Sequence, residues 1–117
     1  MRQKIPIHRE DDGEFLGFIA QDAAGWDAQT IFGYSILRTT NKTTAEDTVR
    51  AKGLGFLTGL WQYFDKDDQD WHPCVLKEAH EHQVTVIRTN YMGYRDPDDF
   101  KIVIIDSPDE TKLIKTT

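Results

Sequence analysis

Only one cysteine, Cys74, stands in the chain, so no internal disulfide can form and a secreted scaffold held by disulfides is excluded. Long apolar runs are missing as well, and none approaches the roughly 18 residues of a membrane span. The opening "MRQKIPIHREDD" has basic residues with no apolar stretch behind them, which is unlike a secretory signal. These absences lead to the expectation of a soluble, cytoplasmic protein. Positive charge is also scarce, with 14 Lys and Arg against 20 Asp and Glu, a net charge of −6. Direct nucleic-acid binding depends on Lys and Arg displacing phosphate counterions, so this balance argues against it. It equally disfavours docking on anionic lipid. There is no internal repeat, low-complexity tract or linker.

What is present suits a globular domain. At 117 residues, with 38% apolar and 29% charged residues, the chain can bury a core without staples, and a single domain over 1–117 is expected. Residues 14–21, "EFLGFIAQ", read as a strand, and "DAAG" (22–25) as a turn. In "WDAQTIF" (26–32), Trp26, Ala28, Thr30 and Phe32 alternate with Asp27, Gln29 and Ile31, which completes a hairpin. Past Gly33, "YSILRTT" (34–40) reads as a third strand, or as the second continuing beyond a bulge.

A helix is expected next. Thr43 with Glu46, or Thr44 with Asp47, has capping-box spacing, and Val49, Gly53, Leu57, Leu60, Trp61 and Phe64 form an apolar stripe carrying the helix to about Phe64. Strands follow at "HPCVLKEA" (72–79), "QVTVIRTN" (83–90) and "FKIVIID" (100–106). The adjacent apolar residues Ile102, Val103, Ile104 and Ile105 predict a strand covered on both faces. "SPDE" (107–110) predicts a short C-terminal helical turn capped by Ser107. The order β-β-(β)-α-β-β-β specifies an α+β fold: a mostly antiparallel sheet of five or six strands with one main helix packed on one face.

"HPCVLKEAHEH" (72–82) holds Cys74 and three of the four histidines, so it is the first candidate for chemistry. Zinc needs donors converging within about 2.0–2.3 Å of one ion. If Ala79–His82 form a hairpin loop, Glu78 pairs with Gln83 and Cys74 faces Ile87. Cys74 and His82 are then roughly 17 Å apart at ~3.4 Å per residue. On a helix, the stripe Cys74, Glu78, His82 would still span ~12 Å. His80 and His82 alone make a weak, adventitious metal site at a loop tip. As a nucleophile Cys74 needs a base within hydrogen-bond reach, and His72, two residues away on one strand face, is too far. No cofactor is expected, and no catalytic residue stands out.

Other stretches fail specific patterns. "GLGFLTG" (53–59) misses dinucleotide-loop spacing and lies inside a helical pattern, so its glycines point to close helix–sheet approach or to a break near Gly53–Gly55. "DKDDQD" (65–70) has Asp70 where a calcium loop needs glycine and Leu76 where it needs a bidentate Glu. It reads as a solvated acidic loop. Trp61 belongs to the core stripe, whereas Trp26 and Trp71 at strand starts could anchor an interface, as could the loop aromatics Tyr91 and Tyr94.

The expected function is accordingly non-enzymatic: protein–protein contacts or self-association along an exposed sheet edge or face. The candidate interface comprises Trp26, Trp71, Asp65, Asp67, Asp68, Asp70, Tyr91 and Tyr94. One alternative is an acidic inhibitor, antitoxin or immunity-type protein that binds a basic, nucleic-acid-processing partner. Another is a small-molecule-binding or enzymatic domain, which requires a concave pocket with a perturbed carboxylate.

Overall fold

The computed structural model describes residues 3–90, 92, 94 and 101–116. Tyr91 and the acidic stretch at 95–99 lie outside the described residues. The fold is α+β, with two antiparallel sheets of four and five strands and one helix packed on a sheet. Chain contacts divide it into two compact units, Met1–Leu57 and Thr58–Thr117. No helix among the described residues is long and apolar enough to cross a membrane.

The first unit holds strands β1 (Lys4–His8), β2 (Phe15–Asp22), β3 (Gly25–Gln29) and β4 (Ser35–Thr39), in spatial order β1-β2-β3-β4. The expected hairpin is β2–β3. Asp22 Oδ1 accepts from the N–H groups of Ala24 and Gly25 at 2.8 and 3.0 Å, which closes the turn "DAAG" announced. β3 ends at Gln29, not Phe32, because Thr30 turns the chain: Gly33 N–H donates to its carbonyl and Tyr34 N–H to its hydroxyl. The third strand is then β4. Sequence reading missed β1, where Pro6 interrupts the Ile5/Ile7 alternation. Proline is tolerated because β1 is an edge strand.

Helix α1 (Lys42–Lys52) begins at Asn41, whose side chain accepts from Thr44 N–H, so the N-cap lies two residues before the expected Thr43. Ala45 and Val49 pack against Ile7, Leu16, Ile19 and Ala28 in the unit's core. Full burial of the Val, Leu and Ile side chains among them contributes about 1.5–3 kcal/mol each.

The largest correction concerns the helix end. It stops at Lys52 with Gly53 as C-cap, a 3-10 turn follows over Gly55–Leu57, and Trp61–Asp65 is strand β5. A Cβ on Gly53 would sit 2.4 Å from the Leu16 carbonyl oxygen, so the expected close approach of helix to sheet is real. Gly59 has φ +84°, a left-handed conformation that suits glycine and ends any helical path. In β5 the period is two: Trp61, Tyr63 and Asp65 are buried while Gln62 and Phe64 are half-buried. Leu60, Trp61 and Phe64 had fitted a helical stripe only because a short apolar run fits either period.

The second unit comprises β5, β6 (Asp70–Ala79), β7 (Gln83–Arg88), β8 (Ile102–Asp106) and β9 (Leu113–Lys115), in order β8-β7-β6-β5-β9. The β6–β7 hairpin exists, with a register different from the one assumed. An irregularity between Leu76 and Glu78 sets Ala79 opposite Val84 and Cys74 opposite Arg88, not Ile87. The turn expected after Ser107 also forms, but Asp109 organises it. The Lys112 and Leu113 N–H groups both donate to the Asp109 carbonyl, and the chain then enters β9.

Candidate functional site

Two cationic side chains, Arg88 and Lys101, converge on Asp65 of β5 from distant parts of the second unit. Tyr63, Asp65, His72, Cys74 and Arg88 share one sheet face, because Tyr63 pairs with His72 and Cys74 pairs with both Trp61 and Arg88. Lys101, just before β8, joins them. Asp65 is only 5% exposed and accepts from Arg88 Nη2 at 2.6 Å, Lys101 Nζ at 2.6 Å and the Tyr63 hydroxyl at 3.3 Å. Its other oxygen accepts from Asp67 N–H at 2.9 Å. Arg88 Nε completes the cluster by donating to the Tyr63 oxygen at 2.8 Å.

The electrostatics follow from these contacts. The Lys101 ammonium above all holds the Asp65 carboxyl down to about 2, against the partial opposition of burial. Asp65 in turn raises the Lys101 pKa, with Asp67 assisting. Burial raises the Tyr63 phenol, so it stays neutral and can donate.

The same contacts reveal the curvature of the sheet. In a flat sheet β5 and β8 would lie three strand spacings apart, roughly 14 Å. The 2.6 Å Lys101–Asp65 bond and the cleft that β5 and β8 residues line together show the β8 edge inclined towards β5. Between them lies a cleft of about 450 Å³, lined by Tyr63, Phe64, Asp65, Lys101 and Ile102–Ile105 among others. At its far end Lys112 Nζ donates to the carbonyls of Asp106 and Ser107 at 3.1 and 3.3 Å.

β8 is the edge strand here, and hydrogen-bond parity decides what it presents. Arg88 N–H donates to the Lys101 carbonyl and Ser107 N–H to the His82 carbonyl, so these are hydrogen-bonded pairs of the β7–β8 ladder. Antiparallel pairs alternate, which puts Val103 and Ile105 in the bonded set and turns the N–H and C=O of Ile102 and Ile104 outward. Among the described residues no strand pairs with that edge. Ile102 and Ile104 are 45% and 61% exposed. The expectation of a strand covered on both faces is therefore corrected: the face of β8 that carries Ile102 and Ile104 is open, because nothing among the described residues packs over it.

The residues singled out from sequence are distributed as follows. Asp65, Asp67, Asp68 and Asp70 do not form one acidic surface, since Asp65 is internal and Asp67 bonds Lys101 at 3.2 Å. Asp68 meets His72 Nε2 at 2.6 Å, and Asp70 accepts from Trp71 N–H at 2.8 Å. Asp65 and Asp68 also shape the turn, by accepting from Asp67 and Asp70 N–H. Trp26 is half-buried against the first unit's core and Trp71 stacks edge-to-face on Phe64 at 5.6 Å. Tyr94 is exposed, its N–H donating to Asn90 Oδ1. His80 and His82 are exposed at the β6–β7 turn and lie nearest to Glu78 and Glu81, at 3.7 and 3.8 Å.

Among the described residues Asp65, Asp68 and His72 bring donor atoms within 4.8 Å of one another. This set is a poor cation site, because Asp65 already carries two cationic partners that would repel a third. Cys74 is fully buried, and burial pushes its thiol up to about 12, which leaves it protonated and unreactive. Sequence reading missed Arg88 and Lys101, which lie 23 and 36 positions from Asp65. Comparison with protein-family models, with curated proteins and with solved structures finds no match.

Proposed function

We propose that this protein is a non-enzymatic interaction module that takes up an extended segment of a partner chain along the free edge of β8. The observation that carries the reading is the outward-facing backbone of Ile102 and Ile104 beside two exposed isoleucine side chains. An added strand would complete four main-chain hydrogen bonds there, two at each residue, and gain apolar contact besides. Lys101 bonds Asp65 at one end of the edge and Lys112 bonds the Asp106 and Ser107 carbonyls at the other, which ties down both ends of β8. Acid–base catalysis finds no support in the same cleft, where the buried Asp65 carboxylate is neutralised by Arg88 and Lys101, and the Cys74 thiol lies buried and protonated outside it.

Proline substitution tests this. In Ile104→Pro the lost N–H bonds nothing within the fold, so stability should change by no more than about 1 kcal/mol. In Val103→Pro a ladder bond to β7 is lost, at a cost of about 3 kcal/mol or more. Extended peptides selected on the wild-type protein from a displayed random library should be released by Ile104→Pro. Peptides that still bind that variant, or a library yielding no binder, would refute the module.

A further inference from the structure

We draw no further inference here: the strongest candidate, the cleft that runs along the free edge of β8 beside the exposed Ile102 and Ile104, belongs to the site already described, and nothing in the structure shows which segment or ligand covers it.

Discussion

Replacing Asp65 with alanine removes the acceptor on which Arg88, Lys101 and the Tyr63 hydroxyl converge. Breaking a buried ion pair by deleting one partner costs about 3–5 kcal/mol when the remaining charge has no access to water. Here the surviving cations are partly rescued, since the side chains of Arg88 and Lys101 are 17% and 36% exposed. The expected loss for Asp65→Ala is therefore about 2–3 kcal/mol. Lys101→Met should cost less than Asp65→Ala, because Arg88 still neutralises the carboxylate. The double variant should show a coupling of about 1 kcal/mol between the two sites. Urea unfolding followed by circular dichroism and tryptophan fluorescence measures these values, provided the m-value is unchanged. The pH dependence gives an independent reading. Folding lowers the Asp65 pKa from 3.8 to about 2, so the stabilisation is complete above about pH 4 and is lost as pH falls through about 2. After allowance for solvent screening it amounts to about 1–2 kcal/mol. Asp65→Asn should flatten that acid limb. A loss below about 0.5 kcal/mol in Asp65→Ala, or an acid limb unchanged in Asp65→Asn, would refute the cluster as the brace between β8 and β5.

Two further outcomes follow from packing. Gly53→Ala should destabilise by about 1–3 kcal/mol despite alanine's better helix propensity, since its Cβ would meet the Leu16 carbonyl at 2.4 Å; a stabilised variant in urea unfolding would show that the contact relaxes freely. The Cys74 thiol should resist alkylation in the native protein and react on unfolding; rapid native reaction with a thiol reagent at pH 8 would contradict its burial and raised pKa.

Much of the local structure was legible in the chain. The apolar strand over residues 14–21, the start of the strand at Trp26, the "DAAG" turn and the β6–β7 pair all correspond to strands and turns, because strand patterning and turn chemistry act over neighbouring residues. The α+β class followed from their order around one helix. Short apolar runs were where this reading gave out: the segment from Leu60 to Phe64 satisfied a helical stripe and a strand equally, and Gly59 with its neighbours settled it. The acidic loop was visible as composition, but its division into the internal Asp65 and the exposed Asp67 was not.

The sequence alone determined that no internal disulfide can form, and its spacings and charge balance argued against a thiol nucleophile paired with His72, a calcium loop and direct nucleic-acid binding. Tertiary structure decided where the free edge lies and what guards it. "KIVIID" reads the same whether its strand is central or peripheral, and only the pairing order β8-β7-β6-β5-β9 leaves Ile102 and Ile104 with outward backbone groups. Asp65, Arg88 and Lys101 likewise meet only because strand pairing sets them on one sheet face, joining charges that lie 23 and 36 positions apart along the chain.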